Sequence, residues 1–294
     1  MAEQDDKILT LVKDFSRMTW PTLAVAGSLG AFGVARHQWQ QSQIFRHRSQ
    51  HPDGPDYPAW TALPYEDVLF PSEDGTMLHG WWIEKAEPRA TIVYCHGRSG
   101  SLAHRAHTFR RLHRLGFSVF AFDYRGYGRS SGQPSEQGLF ADVRAAIDTA
   151  TGEFGADPER LLLFGHSLGG AVAIDGAYHR PVAGLVVESS FTDLRDMARL
   201  VSGKLPLNLP VHLLARNAFR SVEKVPELEM PKLFIHGTAD TTVPYQIGER
   251  LYAAAAEPKS WYAVEGADHE DLHRHDRRRY SRRLIEFIDR CVGR

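Results

Sequence analysis

The residues with the clearest chemical potential lie in LLLFGHSLGG, residues 161–170, where Gly165, Ser167 and Gly169 form G-x-S-x-G. The serine follows an apolar run and opens the helical pattern AVAIDGAY, a strand–turn–helix setting that lifts a hydroxyl above a sheet. The glycines remove side chains that would collide in such a turn, and the helix N-terminus offers N–H groups to developing negative charge. A serine hydroxyl is a weak nucleophile and needs a base, which in turn needs an orienting acid. Asp240 lies just after the strand-like KLFIHG, and His269 lies in the loop after SWYAV. Both positions are the C-terminal ends of strands, where open α/β sheets gather their functional groups. Asp240 is therefore the expected acid and His269 the expected base, with Glu188 and Asp193 as competing acids. Asp268 adjoins the base but faces away from it if His269 faces the site.

Attack on an acyl carbon also needs two N–H donors for the oxyanion. The expected pair is the amide of Leu168, next to the serine, and the amide of Arg98 or its neighbour in HGRSG, after the strand-like TIVYC. Arg98 is expected to act through its backbone, with its guanidinium in solvent. Asp123 and Arg125, in DYRGYGRSSG, are read as braces of a tight loop.

These groups must be carried by a scaffold, and the chain supplies one in an alternating pattern. YEDVLF, MLHGWWIE, TIVYC, SVFAF, LLLFG, GLVVES, KLFIHG and SWYAV are strand candidates. Helical patterns occupy Leu102 to Leu115, Gly138 to Gly152 and Leu168 to His179. This rhythm predicts an α/β fold with a mostly parallel sheet covered on both faces, and the turn-like SEDG predicts an antiparallel first hairpin. A last helix is expected from Asp271 to Arg294, with Tyr280, Leu284, Ile288 and Cys291 on its apolar face and its arginines in solvent.

Residues 40–64 are polar and Pro-rich and read as a linker, so the predicted organisation is an N-terminal segment 1–39, a linker 40–64 and a body 65–294. Within the first segment, Trp20 to Ala35 carries no formal charge. Trp20 and Trp39 stand nineteen residues apart, about 28 Å in a helix, which suits the two interfaces of a membrane. A single membrane anchor is expected; a cleaved signal and a helix packed on the body are the competing readings, the latter soluble and cytoplasmic. With 35 Lys and Arg against 36 Asp and Glu the net charge is -1, which gives no support to nucleic-acid binding. Two cysteines, Cys95 and Cys291, supply neither a disulfide framework nor a zinc-ligand set.

CHGRSGS, DYRGYGRSSG, GHSLGG, HGTADTTVP and GADH, in this order, resemble the α/β-hydrolase superfamily from about Tyr65 to the C-terminus. LPYEDVLFPSEDGTMLHGWW, QPSEQGLFADVRAAID and ESSFTDLRDMA are similar to its membrane-anchored, bud-emergence-type branch and to the serine aminopeptidase grouping. The resemblance implies an eight-stranded, mostly parallel sheet with flanking helices and a small cap after the sixth strand, at about 192–229. One departure is HGRSGS where related sequences often carry HGNAGN, which puts Arg98 at the mouth of the pocket. The expected activity is a serine hydrolase that cleaves an ester or thioester of a small acyl substrate through an acyl-enzyme, with no metal or organic cofactor. A peptidase or amidase, and an idle scaffold used for binding, are the alternatives. Every catalytic position is filled, which disfavours the idle scaffold.

Overall fold

The computed structural model describes residues 45, 63–197 and 218–294. They belong to a compact unit, Gln40–Arg294. Eight strands form one sheet: β1 (Glu66–Pro71), β2 (Met77–Ile83), β3 (Thr91–Cys95), β4 (Ser118–Asp123), β5 (Leu161–His166), β6 (Gly184–Glu188), β7 (Lys232–Gly237) and β8 (Lys259–Val264). Their order is β1-β2-β4-β3-β5-β6-β7-β8. β1 and β2 pair antiparallel, β2 meets β4 antiparallel, and every pairing from β4 to β8 is parallel. Each of the eight strands coincides with an apolar run anticipated from sequence.

The parallel strands β3 to β7 are buried along their whole length, as a sheet covered on both faces requires. Successive side chains go to opposite faces. Val93, Cys95, Leu163 and Val187 join one core with α2 (Glu136–Gly152), α3 (Leu168–His179) and α4 (Tyr245–Ala254). Ile92, Tyr94, Phe164 and Val186 join the other with α1 (Leu102–Arg114) and α5 (Arg277–Cys291). In α1, Leu102, Ala106, Phe109 and Leu112 repeat at helical spacing and bury one stripe, and Ser101 with His104 closes a capping box at its start.

Two local features depart from the sequence reading. The expected last helix is divided: a turn of helix at Leu272–His275 ends at Asp276, whose non-helical backbone and side chain, accepting from Arg279 N at 3.0 Å, start α5 as a new helix. Tyr280, Leu284 and Ile288 are buried as expected, with Phe287 beside them, while Cys291 is only partly buried. Within the expected linker, Phe45 is buried and packs edge-on to Phe219 at 6.2 Å, which meets Phe140 of α2 at 5.5 Å.

The cap is expected in the long connection from β6 to β7. Residues 198–217 of it, and the expected anchor at 19–39, lie outside the described residues. Where the chain returns, the Glu136 carboxylate accepts from Ala218 N at 2.7 Å and Phe219 N at 2.9 Å, and a short helix follows at Ser221–Lys224. Among the described residues no helix is long and apolar enough to cross a membrane.

Candidate active site

Ser167 sits between β5 and α3 with φ 56° and ψ -118°, a left-handed backbone that costs a non-glycine residue about 1–3 kcal/mol. Packing around the turn leaves room only for glycine. A Cβ on Gly165 would lie 2.2 Å from Gly169 O, and one on Gly169 would lie 2.0 Å from Cys95 O at the end of β3. The neighbouring strand holds the elbow: Ser167 N donates to Glu188 O at 2.8 Å, and Ser190 Oγ donates to Ser167 O at 2.9 Å.

Asp240 and His269 leave the ends of β7 and β8, and their loops are cross-linked. Ala239 N donates to Ala267 O at 3.0 Å, and Thr241 N donates to Asp268 Oδ1 at 2.8 Å. Asp268 is thereby turned away from the imidazole beside it. His269 Nδ1 lies 2.8 Å from Asp240 Oδ2 and its Nε2 lies 3.0 Å from Ser167 Oγ. An ionised carboxylate only accepts, so Nδ1 carries the proton and Nε2 is left to accept from the serine hydroxyl. All three residues are buried.

Asp240 is well supplied with donors. Its Oδ1 accepts from Val243 N at 2.7 Å and Thr242 N at 2.9 Å, and His236 Nε2, whose N–H donates to Val243 O at 2.9 Å, also lies 3.3 Å from Oδ2. Burial alone would raise its pKa, but the hydrogen bonds from His236 and His269, the charge of His269 and the Val243 N–H outweigh it. The carboxyl is held well below the usual carboxylate range and stays ionised. Neither competing acid contacts the base: Glu188 accepts from the Tyr280 hydroxyl, and Asp193 accepts from Asp196 N at 2.6 Å.

The loop carrying Arg98 abuts the nucleophile, since a Cβ on Gly97 would lie 3.5 Å from Ser167 Cβ. Three of its carbonyls accept hydrogen bonds that hold it in place. His96 O accepts from Tyr124 Oη at 2.9 Å, Gly97 O from His96 Nδ1 at 2.7 Å, and Arg98 O from Tyr127 Oη at 3.1 Å. Across a trans peptide the fixed Gly97 carbonyl fixes the opposite direction for the Arg98 N–H. The arginine is partly buried, where the sequence suggested solvent. Leu168, the first residue of α3, has an N–H without an intrahelical acceptor.

A strained serine hydroxyl, aimed at an imidazole that an ionised aspartate orients, sits above the ends of a parallel sheet. A family model described as serine aminopeptidase, S33, matches residues 86–218. An uncharacterized protein of Mycobacterium tuberculosis is 40% identical over 255 residues, spanning 85% of this chain and 88% of that protein. The α/β-hydrolase domain-containing protein WAV2 of Arabidopsis thaliana is 36% identical over 217 residues, spanning 69% of this chain and 70% of that protein. The chain belongs to the α/β-hydrolase superfamily. A Pyrococcus furiosus esterase shares the α/β-hydrolase fold, with a TM-score of 0.67 at 24% identity over 82% of this chain and 96% of that one.

Three supports of this α/β-hydrolase site were not assigned from sequence. His236, four residues before Asp240, is its second imidazole partner, and HGTAD carried that signal locally. Ser190 has no such signal, because only the pairing of β5 with β6 brings it to Ser167. His166 packs on His269 with ring centroids 5.1 Å apart, and its Nε2 donates to His269 O at 3.1 Å. Burial and then the neighbouring His269 hold the His166 imidazole below its ordinary pKa. His166, His269 and Glu270 bring ligand-capable atoms within 4.8 Å of one another. Both nitrogens of His269, Nε2 of His166 and the Glu270 carboxylate already have hydrogen-bond partners in the chain.

Proposed function

We propose that the protein is a serine hydrolase that cleaves carboxylic esters or thioesters through an acyl-enzyme. The observation that carries this reading is the continuous relay from Ser167 Oγ to His269 at 3.0 Å and on to Asp240 at 2.8 Å. His269 takes the serine proton as Oγ attacks the acyl carbon, returns it to the leaving group, and then activates water against the acyl-enzyme. Asp240 holds the imidazole tautomer and stabilises the imidazolium. The amides of Leu168 and Arg98 stabilise the oxyanion. Every step is a proton transfer or an acyl transfer among these groups, so the mechanism calls on no cofactor.

The test is a panel of p-nitrophenyl esters of increasing chain length beside aminoacyl amides. Ester turnover that disappears in Ser167→Ala is the expected result. Turnover of amides alone would instead favour an aminopeptidase, the reading suggested by the description of the matching family model. The substrate in this proposal is a small acyl compound. Residues 19–39 serve as a membrane anchor, a role supported by the uncharged run from Trp20 to Ala35 and the Trp pair flanking it. Full-length protein should then sediment with membranes and resist alkaline carbonate, while a chain beginning at Gln40 should be soluble and active. Full-length protein left in the supernatant would exclude the anchor.

A further inference from the structure

Behind the relay lies a second connection among the same loops. Arg105, one turn into α1, has a side chain only 14% exposed. Its Nη1 donates to Glu270 Oε2 at 2.7 Å and its Nη2 donates to Ser99 O at 3.3 Å. Ser99 belongs to the loop that carries Arg98, and Glu270 directly follows His269. One guanidinium therefore ties the loop after β3 to the loop after β8. The main chain of that second loop is also held from the nucleophile side, by His166 Nε2 on His269 O.

Given the serine-hydrolase reading above, we infer that Arg105 is a positioning residue that sets both the spacing of the oxyanion loop from His269 and the charge felt by that imidazole. A planar guanidinium with both Nη groups in use defines a separation that a flexible ammonium does not. The electrostatic part follows from what surrounds His269. Asp240 faces it from the end of β7, with His236 behind; His166 faces it from β5; Glu188 lies at the end of β6; Asp268 is turned to Thr241. Glu270 adds a carboxylate on the imidazole's own loop, and Arg105 of α1 cancels it. Burial works against that carboxylate, and His166, Arg105 and His269 together hold it below its ordinary pKa, so it is ionised when His269 works as a base.

Removing either partner should therefore move the acid limb of the activity profile in opposite directions. In Arg105→Gln the uncompensated Glu270 carboxylate favours the imidazolium, and the limb moves to higher pH by roughly 0.5–1 unit. In Glu270→Gln the uncompensated guanidinium disfavours it, and the limb moves to lower pH by a similar amount. Arg105→Lys keeps the charge and loses the fork, so the limb stays in place while the rate plateau falls roughly tenfold.

The experiment measures the rate of fluorophosphonate labelling of the full-length protein against pH in the wild type and these three variants. Glu270 is 56% exposed, so Glu270→Gln should fold even if an Arg105 variant does not. Opposite displacements of the limb, or the downward displacement in Glu270→Gln alone if Arg105→Gln does not fold, support the inference. Coincident limbs, or displacements in the same direction, overturn it and reduce the pair to an ordinary structural ion pair. A wild type that is not labelled at Ser167 would contradict the serine-hydrolase reading itself, an outcome distinct from labelled enzyme with unmoved limbs.

Discussion

Two buried carboxylates stand near the same edge of the sheet and show how one chemical group is put to different uses. Asp142 on α2 is fully buried and meets the Arg125 guanidinium, with Oδ1 2.8 Å from Nη2, while the same arginine reaches Asp74 at 2.7 Å and Ser72 Oγ at 3.0 Å. Burial pushes the Asp142 carboxyl above its ordinary range even with Arg125 present. Asp240 is as deeply placed yet is held low, because two imidazoles and two backbone N–H groups point at it. A guanidinium has no acceptor and cannot give up its proton, so the Arg125 cluster can only brace. An imidazole on an aspartate keeps a second nitrogen for a nucleophile, so the Asp240 cluster can move a proton.

The widest separation between the two clusters should come from Asp240→Asn. It should lower kcat by about 10⁴ through the wrong His269 tautomer in a variant that still folds. Near-normal turnover in that variant would remove Asp240 from the relay. Arg125→Ala should do the reverse. Stability should fall by about 3–5 kcal/mol in denaturant titration, because a buried carboxylate loses its partner, with turnover per folded molecule about unchanged. Lost turnover in molecules that remain folded would show that the brace also serves catalysis.

His96 extends the contrast, as an imidazole 3.6 Å from Asp123 that faces no nucleophile. Burial pushes its pKa down to about 4, whereas in the unfolded chain it titrates near ~6.5. Between those values the unfolded state binds more protons, so stability is full above about pH 6.5 and is lost as pH falls toward 4. The loss reaches about 3 kcal/mol, and His96→Asn should flatten it in melts at stepped pH. An unchanged slope would assign the acid sensitivity to other groups. The smallest effect belongs to Ser190→Ala, which removes the hydrogen bond to Ser167 O. A loss of about 1 kcal/mol in stability and less than tenfold in kcat is expected; a larger kcat effect would make Ser190 a determinant of the elbow's geometry.

What could be read from sequence follows from what is local. The eight strands announce themselves by apolar runs, and the elbow by G-x-S-x-G, because period and sterics act over a few residues. Asp240 and His269 were legible because each falls at the end of a strand the pattern had already located. Arg105 with Glu270 and Ser190 with Ser167 were not, since those contacts exist only after the sheet has ordered β3, β5, β6, β7 and β8 side by side. The division of the last helix escaped notice for a different reason. Its apolar spacing continues in one direction while the Asp276 side chain satisfies Arg279 N and starts a new helix.

The reading of Ser167 as a nucleophile can be tested without knowing the substrate. The full-length protein is treated with a fluorophosphonate, digested, and the adduct located by mass spectrometry. A single adduct on Ser167, absent from Ser167→Ala and strongly slowed in Asp240→Asn, is the predicted result. An adduct on another residue, or labelling undiminished in the alanine variant, would contradict it.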